Sequence, residues 1–206
     1  MGRFEIIDAV IVGDLASVKA QLASDRGLAK AADVEGKSVL YLAILEGHND
    51  IAEHLITQGA DVNGANPDGQ TPLMMAAAWD RLPIVDQLIA AGATVAAKTL
   101  RSGACPLHFA ADRGREEVAR RLLASGADPN QRKDDGWSPL HTAAYFGRLT
   151  TAKVLLDGGA DLQMTANDGK TPLDCARAGY HKEVEEFLAS YRANRSSRGR
   201  WWWPFS

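Results

Sequence analysis

The stretch Gly126-Ala127-Asp128-Pro129-Asn130, followed by Gly136-Trp137-Ser138-Pro139-Leu140-His141, is one turn of a pattern that runs through most of this chain. Gly36, Gly69, Gly103, Gly136 and Gly169 stand 33, 34, 33 and 33 residues apart. Gly59, Gly92, Gly126 and Gly159 keep the same step, at 33, 34 and 33. Both series gain one residue in the same place, which puts an insertion between Gly92 and Gly103. A period of this length is the mark of a stacked-repeat solenoid, in which each unit buries its apolar face only against its neighbours.

Each unit carries its own folding instructions. Ser38-Val39-Leu40, Thr71-Pro72-Leu73, Cys105-Pro106-Leu107, Ser138-Pro139-Leu140 and Thr171-Pro172-Leu173 predict helix starts. A hydroxyl there accepts an otherwise orphaned backbone N–H, and proline at the first helical position loses nothing. Alanines 43, 76, 110, 143 and 176 are small enough to let inner helices approach closely. Ile51/Leu55, Ile84/Leu88, Val118/Leu122 and Val184/Leu188 give the second helix an i, i+4 apolar stripe. Thr151 stands in that stripe beside Leu155 and predicts a weakened fourth unit. Gly59, Gly92, Gly126 and Gly159 then supply the left-handed residue that ends a helix.

These residues resemble the ankyrin repeat family, whose Thr-Pro-Leu-His signature is nearly intact in Cys105-Pro106-Leu107-His108 and Ser138-Pro139-Leu140-His141. The resemblance implies an all-α solenoid of helix-turn-helix units with β-turn fingers. It gives five clear repeats (33–65, 66–98, 99–132, 133–165 and 166–192), a degenerate capping repeat over 1–32, and a tail over 193–206. Tyr41, Met74 and Asp174 replace the signature histidine, and Ala93-Thr94-Val95-Ala96 replaces Ala-Asp-x-Asn, which bears on finger rigidity. His108 and His141 fall in the slot where an imidazole bonds the neighbouring finger, and His48 and His181 in inter-helix loops.

The chain has 206 residues, 46% of them apolar, a formal charge of −3 and a pI near 5.9, which argues against general nucleic-acid affinity. Arg192, Arg195, Arg198 and Arg200 follow the last acid, Glu186, so the body before them carries about −7, the total of −3 less those 4 positive charges. Cys105 and Cys175 stand two repeats apart, too far for a disulfide. No leader or long apolar span is visible, so a cytoplasmic protein is the expectation, with a peripheral membrane contact through the tail as the alternative.

The sequence carries no recognisable active site. Cys105 with His108 can be drawn as a nucleophile and base, but Ser138/His141 and Thr71/Met74 hold the same positions. Cys175 and His181 lack further ligands for zinc. No catalytic residue, metal or cofactor is expected. The family instead implies recognition of another protein on the concave face, as adaptor, scaffold or inhibitor, by a monomer. At the positions the repeat leaves open, Trp79, Arg101, Arg113, Trp137, Tyr145 and Phe146 cluster in repeats two to four. Trp, Tyr and Arg are the types most enriched at binding hot spots. The alternative is that Trp79 or Phe146 tucks between helices, or that Trp137 lies along its own finger.

Residues 194–206 stand outside the repeat. Arg195 to Gly199 reads as a flexible basic linker, and Trp201-Trp202-Trp203-Pro204-Phe205 is too apolar to be only that. Arg195, Arg198, Arg200, Trp201, Trp202, Trp203 and Phe205 form a candidate anchor for anionic membrane. A partner-inserting motif and a segment folded over the last repeat are the other two readings.

Overall fold

The computed structural model describes residues 2–198. Helices of the inner layer are α1 (Gly2–Val12), α3 (Val39–Glu46), α5 (Pro72–Ala78), α7 (Pro106–Arg113), α9 (Pro139–Tyr145) and α11 (Pro172–Ala178). Their outer partners are α2 (Leu15–Ser24), α4 (Asn49–Thr57), α6 (Leu82–Ala90), α8 (Glu116–Ala124), α10 (Leu149–Asp157) and α12 (Lys182–Arg198). Each helix packs on its hairpin partner and on the next helix of its own layer. The α1–α2 pair stacks on the first repeat in the same manner and is joined to it by a 3₁₀ turn, Arg26–Lys30. Among the described residues there is no strand, only an isolated antiparallel bridge between Ala32 and Ser38.

The helices start where the sequence says. Oγ of Ser38, Thr71, Ser138 and Thr171 accepts the N–H three residues on, at 3.1–3.4 Å. Leu40, Leu73, Leu107 and Leu140 are fully buried between units, as are the five inner alanines. Each such leucine contributes about 1.5–3 kcal/mol. The outer stripe is equally buried, and in the fourth repeat Thr151 takes its place with Oγ1 unpartnered among the described residues. A hydroxyl buried this way costs roughly 1–3 kcal/mol, which is the physical content of the weakening read from the sequence.

Three sets of ties run from unit to unit. Along the fingers, Leu100 N–H donates to Asp68 O, Asp134 N–H to Ser102 O and Asn167 N–H to Asp135 O, at 2.9–3.0 Å. The corresponding position of the second finger is Pro67, which has no N–H to give. Beneath the outer helices, Asn63 Nδ2 donates to Gly92 O while its Oδ1 accepts from Thr94 N–H. Asn130 repeats both bonds with Gly159 and Asp161. Ala96, the equivalent residue between them, can make neither.

The third set lies at the opposite end of the helices. Arg115 Nε donates to Ala78 O and Arg148 Nε to Asp112 O, and His48 Nε2 lies 3.2 Å from Ile11 O. Each side chain passes over the left-handed residue ending the previous inner helix, and there a glycine is needed twice over. Gly47 has φ 86°, and a Cβ on it would lie 2.5 Å from Arg81 Nη2. Gly147 has φ 69°, and a Cβ on it would run into His181 Nδ1. The same slot holds Asp80 (φ 60°) and Tyr180 (φ 59°). Asp80 turns its carboxylate to Arg115, 3.7 Å away, and Tyr180 points into solvent, 93% exposed.

Two sequence expectations meet a specific outcome. The inserted residue is absorbed inside the third finger, where Thr99 N–H reaches Ala104 O, five residues on, instead of the four seen between Asn66 and Gln70. The stretch read as a linker from Arg195 is helical as far as Arg198, because neither glycine nor proline interrupts α12 before Gly199.

Candidate functional site

The six singled-out residues stand at the ends of the inner helices and on the fingers, where the structure brings Trp137, Tyr145 and Phe146 into one group and Arg113 with Trp79 into another. Trp79 follows α5, Arg113 and Tyr145 close α7 and α9, and Phe146 follows α9. Trp79, Tyr145 and Phe146 remain 44%, 38% and 40% exposed, so they do not tuck between helices. Trp137 is half-buried against the core and serves as a floor. Tyr145 meets it edge-on at 5.3 Å between ring centroids, and Phe146 meets Tyr145 at 5.1 Å. Lys133 Nζ sits 5.0 Å from the Trp137 ring and the Arg113 guanidinium 5.6 Å from that of Trp79. Arg101 stands apart at the tip of the long finger, paired with Asp68 at 2.7 Å.

Beside this aromatic group a cleft of about 270 Å³ opens between α7 and α9. Its walls are Phe109 and Phe146, with Ser102, Asp112, Lys133 and Thr142 around them. The space has a sequence origin. Position 109 recurs as Met75, Thr142 and Cys175, and the drop in size from Phe109 to Thr142 leaves one wall short. Phe109, Lys133 and Thr142 were not among the residues predicted, and that size drop was the signal available.

Charge on this face is nearly self-cancelled. Lys37 pairs with Glu35, Arg101 with Asp68, Arg113 with Asp112, Lys133 with Asp135, Lys170 with Asp168 and Arg177 with Asp174. Glu46 and Asp134 form no ion pair among the described residues. Lys98 and Arg132 likewise form no ion pair among the described residues and donate instead to Arg132 O and Thr165 O, and the exposed pairs add little stability.

The signature histidines are structural. Cys105 N–H donates to His108 Nδ1 (3.2 Å), so Nε2 carries the proton and donates to Trp137 O at 3.0 Å. His141 does the same between Ser138 N–H and Lys170 O. Burial pushes His108 down to about 4 and holds His141 below the usual imidazole range. The Cys105 Sγ lies 3.0 Å from His108 Nδ1, yet burial raises the thiol, so the pair is neutral on both sides and supplies no thiolate. Cys175 is pushed up to about 11, chiefly by burial. Tyr41 substitutes for the histidine by another route: its hydroxyl donates to Gln70 Oε1 and accepts from Asn66 Nδ2. Met74 keeps only the near bond, its sulfur accepting Thr71 N–H at 3.4 Å.

Among the described residues no His, Cys, Asp and Glu cluster suits a metal, and no helix is long and apolar enough to cross a membrane. Of the candidate anchor, Arg195 and Arg198 fall in the last turns of α12. Arg200, Trp201, Trp202, Trp203 and Phe205 lie outside the described residues.

The family model for ankyrin repeats (3 copies) matches residues 6–99, 41–133 and 107–198. E3 ubiquitin-protein ligase KEG of Arabidopsis thaliana is 34% identical over 139 residues, 62% of this chain and 8% of that protein. E3 ubiquitin-protein ligase XBAT33 of the same plant is 35% identical over 120 residues, 58% of this chain and 23% of the relative. Tyrosine-protein kinase Shark of Drosophila melanogaster is 34% identical over 106 residues, 52% and 11%. The chain thus matches less than a quarter of each of these relatives. Ankyrin repeats are protein–protein interaction modules, and three overlapping family matches across two layers of capped helices leave one assignment: this chain belongs to the ankyrin repeat family.

Proposed function

We propose that the protein is an adaptor, scaffold or inhibitor that binds a partner protein on the inner-helix face of repeats two to four. The observation carrying this is the exposed Tyr145–Phe146 pair beside the cleft between α7 and α9, on a fixed floor of Trp137. Exposed aromatics held rigidly lose little conformational entropy on docking, and a partner side chain entering the cleft gives up water on both sides. Arg113 and Trp79 extend the contact toward the second repeat. The ion pairs around them supply orientation more than affinity.

An alanine scan tests the reading with a partner captured from lysate. Phe146→Ala or Tyr145→Ala is expected to weaken binding by about 2 kcal/mol or more, and Glu35→Ala on the first finger by far less. If alanine at Trp79, Arg101, Arg113, Trp137, Tyr145 and Phe146 leaves affinity unaltered in folded protein, binding lies elsewhere.

A further inference from the structure

We infer that the joint between repeats two and three is a salt-sensitive hinge, at which the array opens into a block of α1–α6 and a block of α7–α12. Two neutral ties carried by other joints are missing from it. The histidine slot bridges repeats one and two through Tyr41 and Gln70, three and four through His108 and Trp137 O, and four and five through His141 and Lys170 O. Asn63 adds its two bonds between repeats one and two, and Asn130 between three and four. Between two and three the slot holds Met74 and the bridging position holds Ala96, so both ties are lost.

Charge stands in their place. Among the described residues three ion pairs pass from one repeat to another, and all three cross this joint. They are Arg101–Asp68 at 2.7 Å, Arg121–Asp86 at 2.7 Å and Arg115–Asp80 at 3.7 Å. Arg113 adds a fourth contact, its guanidinium lying over the Trp79 ring. Four arginines of repeat three therefore grip three carboxylates and an aromatic ring of repeat two. The other bonds do not set this joint apart. Leu100 N–H to Asp68 O, Arg115 to Ala78 O and Lys98 to Arg132 O recur at the next joint as Asp134 to Ser102 O, Arg148 to Asp112 O and Arg132 to Thr165 O. The bond from Gln131 to Ala96 O is particular to it, and that bond is exposed.

All six side chains of these pairs are more than a third exposed, so dissolved ions reach them. The screening length falls from about 10 Å at 0.1 M salt to about 3 Å at 1 M. One exposed pair is worth little, but three acting in parallel on one interface weaken together. His108, His141 and Asn130 make their ties as uncharged groups and lose nothing to screening. Salt therefore widens the difference between this joint and its neighbours, and a solenoid opens sub-globally where its ties are fewest. Trp79 lies on one side of the joint and Tyr145 and Phe146 on the other, so opening divides the docking surface proposed above. The hinge itself does not depend on that surface.

Three equivalent amides report on three joints: Leu100 on two–three, Asp134 on three–four and Asn167 on four–five. Hydrogen exchange of the full-length chain, read residue by residue at low ionic strength and at about 1 M sodium chloride, tests the hinge. Comparing the three amides cancels any general effect of salt on exchange. Leu100 is expected to exchange several-fold faster in salt relative to Asp134 and Asn167. Asp80→Asn combined with Asp86→Asn removes two of the pairs without touching a finger, and asparagine tolerates the left-handed backbone at 80. That variant is expected to show a faster Leu100 amide already at low salt and a smaller response to added salt. An equal response of all three amides overturns the inference. So does a double variant whose Leu100 amide behaves as in the unaltered chain, because the salt effect then belongs to Arg101 and Asp68 at the finger tip alone. No partner enters these measurements, so the hinge and the alanine scan fail separately.

Discussion

At the scale of single residues, His108 and His141 are the most exacting. Each has both ring nitrogens committed, one to its own helix start and one to the next finger, so neither can take a proton in place. The unfolded chain has no such restraint and binds protons below about 6.5. Stability contributed by these groups is therefore complete above that pH and lost as pH falls toward 4. For His108 the gap between about 6.5 and about 4 corresponds to roughly 3 kcal/mol, and His141 acts in the same direction. The carboxylates with depressed values, Asp168 and Asp174, titrate lower still, so between pH 7 and 5 the histidines dominate. Chemical denaturation at the two pH values should show the decline, and His108→Gln should flatten it; an unchanged slope would mean other groups carry it. These histidines were legible because their spacing repeats. Tyr41 was legible only as a departure, since its bond to Gln70 needs the next finger's geometry.

At the scale of elements, helix starts, helix ends and the apolar stripes follow directly from local chemistry, which is why capping residues and periodicity predicted them. The fingers are less local. That the third contains an extra residue was visible in both glycine series, but its absorption between Thr99 and Ala104 depends on hydrogen bonds to both neighbours. The missing brace at Ala96 was also visible, as a break in Ala-Asp-x-Asn, and the structure gives it a price. Ala96→Asn would place an amide where Asn63 and Asn130 bridge successive units, donating to Gly126 O and accepting from Asp128 N–H. It is expected to stabilise the chain by about 1 kcal/mol, measured as a raised denaturation midpoint with unchanged slope. No gain would show that Gln131 Nε2, which donates to Ala96 O at 3.1 Å, already supplies that tie.

Over the whole molecule, joints are unequal. The finger-to-finger backbone bonds run from the fifth finger to the second and stop at Pro67, which has no N–H to extend them to the first. Hydrogen exchange should find the amides of Leu100, Asp134 and Asn167 protected and those around Val34 the fastest of the fingers; equal protection in all five would contradict this. The candidate site was half legible for the same reason. Exposed aromatics could be read from the open positions of each repeat, whereas the cleft exists only because Phe109 and Thr142, 33 residues apart, become neighbours across a joint. The left-handed slot at the end of each inner helix has a further consequence for anyone recombining such arrays. A unit grafted behind Gly47 or Gly147 must bring an arginine or histidine to lie over it, and one grafted behind Asp80 must bring a cation. Behind Tyr180, as behind Asp80, a residue other than glycine already holds the left-handed backbone, so a unit added after α11 and α12 would have to lay its arginine or histidine beside a side chain, and glycine at 180 would remove both that crowding and the backbone strain.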